Sequence, residues 1–168
     1  MSKKERVQKT NAMRELERGG VDFEVRTYDV EHEDLSSGVG VRISSILGED
    51  PNAAFKTLVT KTATGGHVVC CIPVAAELDL KKAARAAGEK SLTMLPLREL
   101  EAVTGYVRGG CSPVGMKRLF PTVIDETAQL FDEISISGGR RGISLDLNPE
   151  ALAQFLGAIF ADIERDEG

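Results

Sequence analysis

The sequence predicts one mixed α/β domain, in which helices flank a mixed and largely antiparallel sheet. Its 168 residues fit a single domain comfortably. Short segments with apolar residues at every second position lie between segments with helical spacing. Evenly repeated strand–helix–strand units are missing, which counts against a doubly wound parallel fold. We expect a polar N-terminal segment over residues 1–9 and the domain itself over residues 10–164.

The first half of the chain predicts two helices and three strands. A helix over 10–18 ends at a glycine pair, and alternating apolar residues predict a strand from 21 to about 30. A second helix is expected over 39–47. Strands over 55–60 and 67–72 form a hairpin, because a second glycine pair lies between them.

The second half predicts a helix over 80–87, a short strand over 91–95 and a helical stretch over 96–103. The following forty residues are broken by glycine and proline into turns and short strands. Apolar residues that alternate with polar ones predict strands at 134–136 and 143–147.

Two helices begin at a predicted N-cap. Asp79 precedes the first of them, and Asn148 followed by Pro149 begins the last. An apolar stripe predicts that the last helix continues to residue 163. The stripe consists of Leu152, Phe155, Leu156, Ile159, Phe160 and Ile163.

Composition excludes several classes of protein. A net charge of −5 disfavours broad nucleic-acid binding, so any RNA contact requires a local basic patch or a partner. No apolar run is long enough to span a membrane, and no secretory segment follows the charged N-terminus. The three cysteines are an odd number and two are adjacent, which argues against a disulfide framework. We therefore expect a cytoplasmic protein.

Metal and thiol chemistry find little support. His32 and His67 are far apart and no CxxC spacing exists, so we expect neither a metal nor another cofactor. Cys70 and Cys71 lie in an apolar strand, where cysteine is usually a core residue. Cys111 lies in a turn, where it is either a small side chain or a nucleophile that would need a nearby base.

Two glycine-rich segments are the strongest local signal. Residues 109–115 and 137–142 expose backbone N–H groups without bulky side chains, and such turns can bind an anion or stabilise an oxyanion. They are equally consistent with two tight turns between strands. Lys56 lies in a strand, either as an edge charge or as a cation that points into a cleft. Basic residues, each usually a solvated charge, could together follow a phosphate backbone. They are Lys81, Lys82, Arg85, Lys117, Arg118, Arg140 and Arg141.

An ordered set of short motifs resembles the YbaK family of aminoacyl-tRNA editing proteins, which also occurs as a domain inserted in bacterial prolyl-tRNA synthetases. The similarity extends from about residue 11 to residue 163. The motifs are FKTL at 55–58, PVA at 73–75, LDLKK at 78–82, TGY at 104–106, GGCSPVG at 109–115, PTVID at 121–125 and SGGRRG at 137–142.

The resemblance is greatest to the free-standing Cys-tRNA(Pro) deacylases. It implies a hydrolase or lyase that removes cysteine from mischarged Cys-tRNA(Pro), acting in trans, with Cys-tRNA(Cys) as a further substrate. A synthetase pocket rejects near-isosteres poorly, which explains the need for a second hydrolytic site. The implied partners are the acceptor end of tRNA and prolyl-tRNA synthetase, with no membrane and a monomeric enzyme. The alternatives are an Ala-tRNA(Pro) deacylase and a non-catalytic tRNA- or synthetase-binding module of the same fold.

The resemblance also assigns roles to residues. Lys56, Gly109 and Gly110 are implied in catalysis. In the implied reaction the thiol of the substrate attacks the ester, and backbone amides stabilise the oxyanion. The implied role of Lys56 is to hold the terminal adenosine or its phosphate. The implied substrate-binding residues are Tyr28, Thr57, Tyr106, Ser112, Pro113, Ser144 and Asp146. The implied RNA-binding residues are Lys81, Lys82, Arg85, Arg140 and Arg141.

Two positions depart from the family pattern. An aromatic residue that often follows the pocket tyrosine is missing from the stretch 36–39. The family has an acidic residue shortly after the second glycine-rich segment, but in this sequence Ser144 stands at that position. Asp146 lies two places further on. In a strand these two residues share a face, so Asp146 is a candidate replacement. Both departures leave the fold unchanged and leave open which amino acid is removed.

Overall fold

Residues 8–28 and 50–166 are described by a computed structural model of the chain. They contain four α-helices and eight strands. The helices are α1 (Asn11–Arg18), α2 (Leu80–Ala87), α3 (Leu100–Thr104) and α4 (Pro149–Leu156). The strands are β1 (Glu24–Thr27), β2 (Phe55–Thr62), β3 (His67–Pro73), β4 (Leu92–Met94), β5 (Thr122–Asp125), β6 (Ile134–Ser137), β7 (Ile143–Leu147) and β8 (Ile159–Ala161). Short 3-10 helices cover Pro51–Ala53, Leu97–Glu99 and Glu126–Leu130.

Five strands form a mixed sheet in the order β4-β2-β3-β5-β8. The predicted hairpin of β2 and β3 is antiparallel, with Phe55 opposite Pro73, and β4 is antiparallel to the other edge of β2. By contrast, β5 is parallel both to β3 and to β8. The expectation of a mixed, largely antiparallel fold is confirmed.

A second sheet has three antiparallel strands in the order β1-β7-β6. A parallel bridge between Ala54 and Ser135 joins it to the start of β2. The two sheets therefore meet where β2 begins, and the strand that carries Lys56 lies beside β6.

Helix ends follow local chemistry. The side chains of Thr10, Asp79 and Asn148 each accept a hydrogen bond from a backbone N–H in the first turn of α1, α2 and α4. Gly88 ends α2 in the left-handed conformation, where a side chain would be strained. The predicted N-caps Asp79 and Asn148 and the predicted end of α2 are confirmed, whereas α1 begins one residue later than expected, with Thr10 as its N-cap.

Two clusters of buried side chains lie on opposite faces of the five-stranded sheet. The first core contains Leu16 of α1, Ile136 of β6, Leu145 of β7 and Leu152 of α4. The second core lies under α2 and contains Ile72 and Ala83. Alternation along β2 and β3 divides their side chains between the two cores.

The predicted helix from 149 to 163 is wrong in its second half. Gly157 has φ +67° and ends α4, after which Ile159–Ala161 forms β8 and pairs in parallel with β5. The apolar stripe therefore belongs to two elements.

The first predicted strand is also shorter than expected, since β1 covers only Glu24–Thr27. The predicted helix over 39–47 and His32 lie outside the described residues. No helix within 8–28 and 50–166 has the length and apolarity that crossing a membrane requires.

Candidate functional site

The three-stranded sheet has one apolar face and one polar face. Ile143, Leu145 and Leu147 of β7 point into the first core, so the residues between them point the other way. Cross-strand partners share a face, which gathers polar side chains from all three strands. This polar face consists of Glu24, Arg26, Ser135, Ser137, Ser144 and Asp146.

Lys56 continues the polar face onto β2. Ala54 and Ser135 form a parallel bridge, and two residues further along each strand Lys56 and Ser137 point to the same side. The sequence places Lys56 in the middle of the FKTL motif, and the fold places it beside the strand that leads into the second glycine-rich segment.

Asp146 and Ser144 are buried although they do not belong to either core. One carboxylate oxygen of Asp146, Oδ2, accepts a hydrogen bond from Arg26 Nε and forms an ion pair with it. The other oxygen, Oδ1, and the hydroxyl of Ser144 are shielded and have no hydrogen-bond partner within 8–28 and 50–166. Buried polar atoms without partners are costly. These two atoms therefore have unused hydrogen-bonding capacity, and both residues lie on one face as the sequence predicted.

Lys56 is half-buried and forms no hydrogen bond or ion pair with another described residue. Burial lowers the pKa of its ammonium group, and the negative charge of Glu77 partly opposes this shift. A partly desolvated cation next to a polar face is suited to bind a carboxylate, a phosphate or a ribose oxygen.

Tyr28 lies at the end of the same face. Its backbone N–H donates to the carbonyl of Gly142 at 2.9 Å, which holds it beside the turn between β6 and β7. Burial raises the pKa of the phenol, while a hydrogen bond from the Gly142 backbone and the charge of Arg141 lower it in part. The Tyr28 hydroxyl therefore stays protonated at neutral pH and can donate a hydrogen bond.

The two glycine-rich segments pack directly against each other. A Cβ atom on Gly110 would lie 3.1 Å from the Cα atom of Arg140 and 3.2 Å from the backbone nitrogen of Arg141. Tyr106 lies between the segments, because a Cβ atom on Gly139 would be 3.1 Å from its ring and one on Gly115 would be 2.7 Å from its hydroxyl. We call residues 109–115 the glycine loop and residues 137–142 the glycine turn.

Tyr106 is a part of the scaffold under the glycine loop. Its hydroxyl donates to the carbonyl of Val114 at 2.6 Å, and its backbone N–H donates to Thr104 Oγ1 at 3.0 Å. Burial raises the pKa of its phenol to about 12. This arrangement fixes the position of the glycine loop relative to the glycine turn.

The glycine loop presents backbone donors. Ser112 and Pro113 are buried, and the Ser112 hydroxyl accepts from the Val114 N–H at 3.2 Å. Gly109 has φ +86°, a conformation in which other residues are strained. The N–H groups of Cys111 and Ser112 donate to no other residue in the described part of the chain. Adjacent N–H groups of this kind can stabilise a developing oxyanion.

Thr57 points away from Lys56. The two residues are neighbours in β2, so their side chains lie on opposite faces, and Thr57 Oγ1 contacts Cys71 Sγ at 4.0 Å. Cys71 and Cys111 are buried, and burial raises the pKa of each thiol to about 12. A nucleophilic thiol requires a lowered pKa, so the structure argues against catalysis by Cys111.

The predicted RNA-binding residues fall into two groups. Arg140 and Arg141 are exposed in the glycine turn, next to the polar face. Lys81 and Arg85 are exposed on α2, over the second core. The Lys82 ammonium is engaged by the carboxylates of Asp162 and Asp166 and the carbonyl of Glu164 at 2.8–3.0 Å, hydrogen bonds that raise its pKa. Lys82 therefore holds the C-terminal segment, which weakens its assignment to RNA.

Sequence reasoning missed Arg26, Ser135 and Ser137. No motif marks them, and only the register of β1, β7 and β6 places them on the polar face. A signal was present in the alternation of serines with isoleucines in β6, which gives a strand one polar side. Within the described ranges, no group of three or more His, Cys, Asp or Glu residues is placed to hold a metal.

Comparison with known proteins identifies relatives that are described as aminoacyl-tRNA editing proteins. A family model described as the aminoacyl-tRNA editing domain matches residues 41–155. Over 167 residues the chain is 44% identical to a protein of Enterococcus faecalis named as a Cys-tRNA(Pro)/Cys-tRNA(Cys) deacylase, EbsC, with 99% of this chain and 100% of that protein covered.

Two solved structures share the fold. The hypothetical protein APE2540 superposes with a TM-score of 0.82 at 21% identity, covering 93% of this chain and 100% of that one. A protein described as a trans-editing enzyme for prolyl-tRNA synthetase superposes with a TM-score of 0.76 at 23% identity, covering 99% of each chain. At these identities the two structures establish the fold alone.

Proposed function

The chain belongs to the aminoacyl-tRNA editing domain family, and on this premise we propose that it removes cysteine from mischarged Cys-tRNA(Pro) in trans. The relative that is 44% identical over nearly its whole length is named for this activity and for Cys-tRNA(Cys). The observation that supports the proposal best is the polar face. There Lys56 is half-buried and adjoins two shielded polar atoms, and none of these three groups has a hydrogen-bond or ion-pair partner among residues 8–28 and 50–166.

The proposed reaction uses the thiol of the substrate. Its sulfur attacks the ester carbonyl, a C–S bond forms, the C–O bond to the terminal ribose breaks, and the thiol proton passes to the departing ribose oxygen. Water then hydrolyses the cyclic thioester that is formed. No protein nucleophile is needed, which agrees with the raised pKa of the buried Cys111 thiol.

Each group on the polar face has a role in this proposal. Lys56 binds the terminal adenosine or its phosphate, and Asp146 Oδ1 accepts a hydrogen bond from the α-ammonium group of the amino acid. Ser144 and Tyr28 hydrogen-bond around the amino acid. The N–H groups of the glycine loop stabilise the oxyanion that develops on the carbonyl.

We also propose the extent and partners of the enzyme. The editing domain covers residues 10–164, because α1 packs in the first core and β8 belongs to the five-stranded sheet. The enzyme acts in the cytoplasm as a monomer. Because its net charge is −5, it gains affinity for the correct tRNA by docking on prolyl-tRNA synthetase.

The test is release of radiolabelled amino acid from Cys-tRNA(Pro), Ala-tRNA(Pro) and Pro-tRNA(Pro), with and without the synthetase. We expect rapid loss of cysteine only, and a fall of about a hundredfold or more in Lys56→Ala, since removing one electrostatic donor typically costs that much. Lys61→Ala is the matched control, because Lys61 lies in the same strand and pairs with Glu99 at 3.6 Å. Release of alanine instead of cysteine would identify Ala-tRNA(Pro) as the substrate. If no amino acid is released even with the synthetase present, the chain is a non-catalytic binding module.

A further inference from the structure

A second concave surface adjoins the glycine loop on the side of the first core. A cleft of about 220 Å³ opens between α1, α4 and residues 115–120. Its lining combines buried Val69 and Leu156 with exposed Arg118 and Leu119. Leu119 is 73% exposed, an unusual position for a leucine beside a cleft, and no described residue covers it.

Two aromatic rings line this cleft and are held in place. The rings of His67 and Phe120 pack in a T-shaped arrangement, with their centres 5.4 Å apart. The ring of Phe155 occupies the space over Gly19, where a Cβ atom would lie only 2.3 Å from it. A cleft of this size with fixed aromatic walls is suited to one flat ring, which can stack on or insert beside them.

The charges around the cleft favour a nucleotide. Arg118 lines the cleft and is exposed, although the chain as a whole carries a net charge of −5. Glu15 also lines the cleft, and one of its carboxylate oxygens pairs with Arg18 at 3.0 Å. Its other oxygen can accept a hydrogen bond from an exocyclic amino group, while Arg118 can bind a phosphate.

The cleft and the proposed editing site share the glycine loop. Pro113 and Gly115 line the cleft, and both belong to the glycine loop whose other end packs on the glycine turn at Gly110. The loop from Gly110 to Gly115 spans at most ~18 Å when fully extended, a distance that a few unpaired nucleotides can cover.

We propose that this cleft binds one unpaired nucleotide of the tRNA acceptor end, upstream of the terminal adenosine. The inference rests on the proposed function, because the same RNA strand would continue to the polar face. The base stacks between the rings of Phe120 and Phe155, and its phosphate pairs with Arg118. Such stacking recognises unpaired nucleotides without requiring a particular sequence.

Binding can be tested without any ester chemistry. The trinucleotide CCA, not aminoacylated, is titrated into ¹⁵N-labelled protein, and we expect chemical-shift changes at Arg118, Leu119 and Phe120. Arg118→Ala should weaken the affinity about tenfold, since one good phosphate or stacking contact is worth roughly that factor. Lys90→Ala is the control, because Lys90 is exposed beyond α2, over the second core.

A pair of variants at Leu119 separates RNA from protein as the occupant. The side chain is 73% exposed, so neither Leu119→Glu nor Leu119→Lys should disturb folding. We expect Leu119→Glu to weaken CCA binding about tenfold and Leu119→Lys to bind at least as well as the wild type. Equal weakening by both variants would indicate an apolar contact with a protein and would overturn the proposal.

Kinetics connect the cleft to editing. Arg118→Ala should raise KM for Cys-tRNA(Pro) about tenfold with kcat unchanged, and should leave the hydrolysis of cysteinyl-adenosine, which lacks upstream nucleotides, unaffected. The proposal is wrong if Arg118→Ala cleaves both Cys-tRNA(Pro) and cysteinyl-adenosine less well than the wild type. It is also wrong if CCA changes the chemical shift of no residue in the cleft. If no ester is cleaved by the wild type, the proposed function fails, whereas the CCA titration still decides on the nucleotide site.

Discussion

Two buried aspartates at strand positions show how differently the same side chain is used. Asp125 ends β5 and is 1% exposed, and Asp146 lies in β7 and is 7% exposed. Oδ1 of Asp125 accepts from the Ile163 N–H at 3.0 Å, and its Oδ2 accepts from the N–H and hydroxyl of Thr127 at 3.2 and 2.5 Å. Asp146 has only Arg26 as a partner among the described residues, and its Oδ1 has none.

The difference separates a fully satisfied structural carboxylate from one that has an unused acceptor. Every oxygen of Asp125 is used to connect β5, a 3-10 helix and the C-terminal segment, so nothing remains for a ligand. Asp146 pairs with Arg26 but leaves one acceptor without a partner among the described residues, on a face that also carries Lys56. Burial of a polar group therefore indicates a site only when the hydrogen bonds have been counted.

The largest effect on stability is expected for Asp125→Ala. The change leaves the buried Ile163 N–H and the Thr127 N–H without an acceptor, which should lower the free energy of unfolding by about 3 kcal/mol. Urea denaturation measures this loss. Asp132→Ala, at an exposed position, should change it by less than about 0.5 kcal/mol. A loss below about 1 kcal/mol for Asp125→Ala would mean that water replaces the carboxylate.

Asp146→Asn should show the reverse pattern. The shape is kept while the charge is lost, so kcat/KM for Cys-tRNA(Pro) should fall by about 10- to 100-fold if Oδ1 binds the substrate ammonium. Stability should change by only ~1 kcal/mol, because the side chain of Arg26 is 40% exposed and water screens the pair. An intact activity together with a large loss of stability would place Asp146 in the same class as Asp125.

Gly110→Ala tests the contact between the glycine loop and the glycine turn. The new Cβ atom would lie 3.1–3.2 Å from backbone atoms of Arg140 and Arg141, which cannot rotate away as a side chain can. We expect a loss of about 1–2 kcal/mol in stability and about tenfold in kcat/KM.

Gly66→Ala is the matched control for that variant. Its Cβ atom would approach only the side chain of Thr62, at 3.3 Å, in the hairpin between β2 and β3. Activity should therefore stay unchanged. Equal losses of activity in the two variants would show that the packing of the two glycine segments has no special role.

Much of the fold could be predicted from the sequence because its signals are local. The N-caps of α2 and α4, the glycine pair in the hairpin and the alternation in β6 and β7 each depend on a few neighbouring residues. The parallel strand β8 could not be predicted in this way. Residues 159–163 continue the helical spacing of α4, and only pairing with β5, more than thirty residues earlier, makes a strand of them.

The candidate site likewise combines residues that have a local sequence signal with residues that depend on pairing between distant strands. Lys56 and the two glycine segments carry a motif and were named from the sequence, whereas Arg26 and the polar face depend on register between distant strands. The alternation in β7 predicted a strand, but it did not predict that the polar residues Ser144 and Asp146 are buried. Their burial is a tertiary property, so no local pattern could have distinguished a wet face from a binding face.

A smaller effect is expected at the carboxyl group that faces Asp125. The hydrogen bond to Asp125, burial and the Asp125 charge raise the pKa of Glu164 from 4.5 to about 7, and the charge of Asp162 adds to this shift. Hydrogen bonds lower the pKa of Asp125 against the opposing effect of its burial, so the proton of the pair resides on Glu164.

The pH dependence of stability follows from these directions. A group whose pKa is raised by folding stabilises the protein fully below its unfolded pKa and loses that contribution as pH rises through the folded value. The wild type should therefore lose stability relative to Glu164→Gln between pH 4.5 and pH 8, by on the order of 1 kcal/mol because solvent screens a partly exposed group. Asp125, whose pKa is lowered, has the opposite effect on the pH dependence of stability. Its contribution to stability is lost only as pH falls below 3.8, the ordinary pKa of an aspartate. Thermal unfolding of both proteins across this range measures the difference. Parallel curves would show that Glu164 titrates normally and that Asp125 is held by its backbone donors and Thr127 alone.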